Sequence, residues 1–229
     1  MTTNTIELTA LCTSFPSNLV DHAPELFTVF KDYAEVVRES AEDALSPRLY
    51  ALVRLAAATA IPSPALARHA LALARTRASE VDIAGAVNAA CHLRSGAAIA
   101  YGRLVFKLME DSGSAPPETG ARSQIALDRE YMTKLRKASP RPFDAMARLT
   151  TARQKNNVLA ELDYELIAIA VATVTQCVYC LEMHGNKARK LGASDQQIAD
   201  AVHIAICARY EATLCEWSDV SPDANQSFK

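Results

Sequence analysis

Glycine and aromatic residues are scarce in this chain, which has seven glycines in 229 residues and only 6% Phe, Trp and Tyr together. Because half of the residues are nevertheless hydrophobic, the apolar content is carried by Ala, Leu, Val and Ile, a composition suited to close-packed helices. An excess of charge of either sign is also missing. The formal net charge is −2, with acids and bases interspersed, so there is no basic field to hold nucleic acid or an anionic membrane surface. Long apolar runs are absent too: no stretch approaches the roughly 18 residues of a membrane span. Met1 to Val20 has no Lys or Arg before its short apolar stretch, unlike an export signal. The expectation is a cytoplasmic protein. Six cysteines (Cys12, Cys91, Cys177, Cys180, Cys207, Cys215) are too few for a disulfide scaffold in a chain of this length. A close pair is therefore better explained by catalysis or metal binding, and the one close pair is Cys177 and Cys180.

Strand signals are scarce, whereas apolar residues recur at helical spacing. Examples are Leu26-Phe27-Phe30-Tyr33, Leu49-Leu52-Val53-Leu55-Ala56 and Leu166-Ile167-Ala170-Val171-Val174. An all-α architecture is expected. The turn-forming, Pro-containing stretch Asp111 to Gly120 reads as a linker that divides the chain nearly in half, and Ser218 to Lys229 reads as a polar tail without ordered packing. Sliding Ser79 onto Ser194, an offset of 115 residues, superimposes Ile83, Ala84, Ala86, Val87, Ala90, Arg94 and Ala97 on identical residues. The organisation expected is thus a helical repeat over residues 1–110, a linker over 111–122, a second repeat over 123–217 and a tail over 218–229. The same offset sets His69 on His184, but Pro62 on Cys177, Ala65 on Cys180 and Tyr50 on Glu165. The first copy lacks the reactive groups and is expected to be silent.

The chemistry concentrates in the second copy. Gln176 to Lys190 is rich in helix formers and is followed by Gly192, placed to end a helix. On such a helix Cys177, Cys180 and His184 share one face. Sulfurs near the helix N-terminus would feel its partial positive charge, which favours thiolate. His184 can exchange a proton at neutral pH, and Glu165 would have to arrive from the preceding helix. Two other readings stay open. Zinc would need a fourth ligand, from Cys207 or His203, and the thiols could simply be buried and inert. Read alone, Glu165 is an ordinary solvated first-turn residue. His92 and His203 read as packing residues, His22 is uninformative, Arg94 and Arg209 read as structural, pairing with carboxylates or capping carbonyls, and the remaining cysteines read as small core hydrophobes. No cofactor-binding or metal motif is identified.

Glu165, eleven residues, Cys177-x-x-Cys180-x-x-x-His184, then Gly185, Gly192-Ala193-Ser194 and Ile198-Ala199-Asp200-Ala201-Val202, resembles the alkylhydroperoxidase D branch of the carboxymuconolactone decarboxylase superfamily. The resemblance is specific over about residues 143–217 and weaker over 25–103. It implies an all-helical fold of the alkylhydroperoxidase D-like type, self-association with a trimer favoured, and peroxide reduction in which Cys180 attacks, Cys177 resolves, and Glu165 and His184 relay protons. It also implies a dithiol reductant, with a lipoyl-bearing protein as the candidate donor. One departure is Tyr179, which stands where alkylhydroperoxidase D has a histidine; a phenol does not exchange protons near neutral pH as an imidazole does. Helix position alone would nominate Cys177 as the nucleophile, whereas His184 at i+4 nominates Cys180. The alternatives are a non-redox lactone decarboxylase of the same superfamily, whose members generally lack the cysteine pair, and a metal-stabilised structural oligomer.

Overall fold

The computed structural model describes residues 17–105, 109 and 124–220. Among these the chain forms ten helices and no strand. They are α1 (Ser17–His22), α2 (Pro24–Leu45), α3 (Pro47–Thr59), α4 (Pro64–Arg75), α5 (Glu80–Gly102), α6 (Gln124–Ala138), α7 (Pro140–Lys155), α8 (Glu161–Val174), α9 (Val178–Lys190) and α10 (Asp195–Val220). Proline stands in the first turn of α2, α3, α4 and α7, where its missing N–H costs nothing and its fixed φ suits the helix. Ser79 and Asp82 close a reciprocal capping box at the start of α5.

Two helices are apolar nearly all round and make the centre of the molecule. Leu49 to Ala58 of α3 are all buried, and so are Tyr164 to Ala172 of α8. These two pack against each other; α3 also packs on α4, α5 and α10, and α8 on α9, α10 and α5. Shifted by the 115-residue offset, the last residues of α3 and α4, Thr59 and Arg75, land on the last residues of α8 and α9, Val174 and Lys190, and the first residue of α5, Glu80, lands on that of α10, Asp195. At the junction Arg48 donates to Asp163, its own counterpart under the offset, at 2.9 Å, and also to Asp82. A buried ion pair, Arg54 to Glu211 at 2.8 Å, ties α3 to α10. Both halves contribute to one continuous apolar core.

The likeness stops at the outer layer. α2 lays Phe27, Phe30, Ala34, Val37 and Ala41 onto the core and covers α10, with Phe30 stacked on Tyr210. The helix at the corresponding place in the second half, α7, buries no residue. Leu26, expected on the core face of α2, is 54% exposed, because the stripe begins at Phe27. α10 continues to Val220, so the first three residues of the expected tail are helical. The expected linker lies outside the described residues, as do the last nine residues of the chain. No helix among the described residues is long and apolar enough to cross a membrane.

Candidate active site

α8 ends in a turn that Gln176 closes with φ of 55°. The Gln176 N–H bonds to Thr173 and the Cys177 N–H to Ala172, the two bonds of a Schellman motif, with glutamine in the left-handed position that glycine usually fills. Tyr101 of α5 donates its hydroxyl to the Gln176 carbonyl at 2.7 Å and pins the turn from outside. The helix expected from Gln176 therefore begins two residues later, at Val178, because Gln176 and Cys177 are spent on the turn. Cys177 is the N-cap of α9, and its sulfur accepts from the Cys180 N–H at 3.3 Å. Cys177 thus reaches Cys180 from the cap and not from a shared helical face. The two cysteines are joined as a disulfide, with Cα atoms 5.2 Å apart. They pack against Ala97 and Ala100 of α5 and Ala172 of α8. Cys177 is 1% exposed and Cys180 8%. At its other end α9 stops as expected: Gly192, at φ 92°, closes a second Schellman turn through its N–H to Arg189 and that of Ala193 to Ala188.

Glu165, read alone as a solvated first-turn residue, is instead the fifth residue of α8 and is 1% exposed inside the α8–α9 packing. Its Oε2 contacts His184 Nδ1 at 2.6 Å and its Oε1 accepts from Lys187 Nζ at 2.8 Å. Burial alone would raise the Glu165 carboxyl above its ordinary range, but the hydrogen bonds from His184 and Lys187 together hold it below. Fixing His184 through Nδ1 leaves Nε2 as the nitrogen open to a substrate. The four expected residues thus form two pairs, Cys177 with Cys180 and Glu165 with His184, and α9 connects the pairs by carrying Cys180 and His184 one turn apart.

Lys187 was not singled out in the sequence, although its position three residues after His184 on the same helix was the available signal. Tyr164 and Arg153 carried no such signal: the Tyr164 ring stands edge-on to His184 and the Arg153 guanidinium lies over that ring at 4.0 Å. Tyr179 meets Arg103, whose guanidinium lies 5.4 Å from the ring centre. His92, read as packing, is half-buried and has its pKa lowered by burial and by the charges of Arg153 and His184. The two residues that would have completed a zinc site, His203 and Cys207, are engaged by Tyr33 of α2. Cys91, expected in the core, is exposed, because it falls on the outer face of α5, while Cys207 and Cys215 are buried. Cys12 lies outside the described residues.

Residues 140–214 match the model of the carboxymuconolactone decarboxylase family. A protein of the cox locus of Paracoccus denitrificans is 40% identical over 62 residues, which are 27% of this chain and 56% of that protein. The alkyl hydroperoxide reductase AhpD of Anaeromyxobacter dehalogenans is 36% identical over 70 residues, 31% of this chain and 38% of the relative. The matches thus span about half or less of those relatives' own lengths. Among solved structures, a protein described as a gamma-carboxymuconolactone decarboxylase subunit from Burkholderia xenovorans has the same fold, with a TM-score of 0.66, 18% identity, and coverage of 96% of this chain and 95% of that one. Residues 140–214 thus resemble the carboxymuconolactone decarboxylase family, and the chain shares the all-helical fold of the Burkholderia protein over nearly its whole length.

Proposed function

We propose that the protein is a thiol-dependent peroxidase, an alkyl hydroperoxide reductase that cycles Cys177 and Cys180 between dithiol and disulfide. The observation that carries this reading is the disulfide at the N-terminus of α9, one turn from a histidine whose other nitrogen is held on a buried, ionised glutamate. In the reduced state the Cys180 thiolate attacks one peroxide oxygen. The O–O bond breaks, the alcohol leaves with a proton supplied through His184, and Cys180 becomes a sulfenic acid. The Cys177 sulfur then attacks Cys180, the S–S bond forms and water leaves. A dithiol reductant, of which a lipoyl-bearing protein is the candidate, returns two electrons and resets the pair. The N-cap position favours a thiolate on Cys177, but Cys180 is the less buried sulfur and the one beside His184, so peroxide is met there.

The test is peroxide consumption with a panel of dithiols, together with dimedone trapping on single mutants. Cys177→Ser should react once and accumulate sulfenic acid at Cys180, and Cys180→Ser should not react at a comparable rate. Sulfenic acid at Cys177 in the Cys180→Ser protein would transpose the roles. Absence of peroxide turnover with every dithiol would remove the peroxidase reading in favour of a non-redox, decarboxylase-type reaction, to which the fold shared with the Burkholderia protein is equally suited.

Self-association belongs to the same reading, with a trimer as the expected form. α7, which buries no residue and leaves Leu149 66% exposed, supplies apolar surface where the first half has α2 covering the core. A monomer in sedimentation at micromolar concentration would contradict it.

A further inference from the structure

A cleft of about 350 Å³ opens between the C-terminal ends of α3 and α8 and the outer faces of α5 and α10. Ile61, Pro62, Val174 and Ala212 supply apolar side chains to its lining. Arg94 of α5 and Arg209 of α10, identical residues related by the 115-residue offset, both line it. Two cations at corresponding places on opposite walls of one cleft are what the internal repeat produces when a cleft forms where its two halves meet.

Both arginines are expected to pair structurally, and Arg209 does: its Nη1 donates to the Val174 carbonyl at the end of α8, at 2.6 Å. The corresponding bond from Arg94 to Thr59 at the end of α3 is not made, and Arg94 has no carboxylate or carbonyl partner among the described residues. Glu216 also lines the cleft, but no ion pair joins it to either arginine among the described residues. The polar lining therefore carries one net positive charge, with one guanidinium anchored by a backbone carbonyl and the other uncommitted. A guanidinium fork matches a carboxylate in two-point fashion, and a cleft of this volume with apolar side chains in its lining accommodates a small hydrocarbon body.

We propose that this cleft binds a small organic acid, with its carboxylate between Arg94 and Arg209 and its apolar body on Ile61, Pro62 and Val174. The inference stands apart from the peroxidase reading, since neither arginine belongs to the cysteine site. The cleft is nonetheless adjacent to that site: Thr175 of its wall lies in the turn that positions Cys177, and Arg94 is one turn before Ala97, which packs on the disulfide.

The experiment is a titration of the full chain with hexanoate, hexanol and inorganic phosphate, followed by calorimetry and by backbone amide shifts of residues 60–62, 94, 174–175 and 209. Hexanoate should shift these amides at concentrations at least tenfold below those needed with hexanol or phosphate. Arg94→Gln should weaken hexanoate about tenfold, the loss of one charge-assisted hydrogen bond, while Arg94→Lys should recover part of it. Because Arg94 is exposed and has no hydrogen-bond or ion-pair partner among the described residues, the melting temperature of Arg94→Gln should match that of the wild type, and this separates loss of binding from loss of fold. Hexanoate binding that is absent, unaffected by Arg94→Gln, or equalled by phosphate would overturn the proposal.

Discussion

The two halves place nearly the same helices around the same core and differ in what those helices carry at one end. In the second half, α8, the turn after it and α9 hold Glu165, Cys177, Cys180, His184 and Lys187 in contact pairs. In the first half the corresponding places hold Tyr50, Pro62, Ala65, His69 and Ala72. Tyr50 is 2% exposed, and burial raises its pKa. His69 keeps the imidazole, yet its buried Nδ1 has no hydrogen-bond partner among the described residues, and burial and the Arg54 charge lower its pKa. In the proposed reading His184 can carry protons because a neighbouring helix supplies the carboxylate that orients it, and His69 lacks such a partner among the described residues. On that reading the frame supplies packing, and the carboxylate and thiols would supply the reactivity.

The comparison is broken most completely by removing both sulfurs. Cys177→Ser with Cys180→Ser should abolish peroxide turnover in a protein that still folds, since the first half has no counterpart of either; residual turnover in a dithiol-coupled assay would show that the first half is not silent.

The Arg54–Glu211 clasp is the next largest effect. The offset sets Ile169 and Gly96 at the corresponding positions, so this buried pair exists on one side only. Arg54→Met alone should cost about 3–5 kcal/mol in urea unfolding, because Glu211 is left buried and charged, whereas replacing both residues with apolar ones of similar size should restore most of the loss. A single mutant within about 1 kcal/mol of wild type would mean that the halves are held together without the clasp.

At the proton carrier itself, Glu165→Gln should lower peroxide turnover about 100-fold by loosening His184. It should also flatten the acid limb of stability. The folded-state pKa of Glu165 lies below its ordinary value, so the unfolded chain binds more protons. The resulting stabilisation is complete above the ordinary carboxylate range and is lost as pH falls through the depressed folded value. Stability curves for the wild type and the variant that stay parallel in acid would remove Glu165 as the group concerned.

The smallest effect sharpens the comparison at a single residue. Gln176 has φ of 55°, whereas Ile61, its counterpart, keeps a negative φ. Gln176→Gly should therefore stabilise the protein by about 0.5–1 kcal/mol, by relieving the left-handed strain. Ile61→Gly should destabilise it by about 1 kcal/mol or more, through lost burial and added chain entropy. Equal signs for the two would show that the turns are conformationally alike.

The residue order alone determined the helical class, through apolar spacing and the shortage of glycine, and it carries identities at a 115-residue offset under which several helix ends coincide. It also marked Cys177, Cys180 and His184 as candidates, because Cys-x-x-Cys and a histidine four residues later are local patterns, whereas Glu165 was a candidate only through the family resemblance. Other features depended on contacts between segments distant in sequence. Glu165 reads as solvated until α9 closes over it and brings His184 and Lys187 to its two oxygens. Cys177 reads as a helix residue until the strained turn at Gln176, pinned by Tyr101 from α5, makes it a cap. Arg94 and Arg209 read as a matched structural pair until packing anchors one and leaves the other facing a cleft. Local periodicity records which residues want burial or a helix. Which charges meet, and which are left without partners, is decided only when distant helices pack, because Coulomb and hydrogen-bond energies depend on distances that spacing along the chain does not encode.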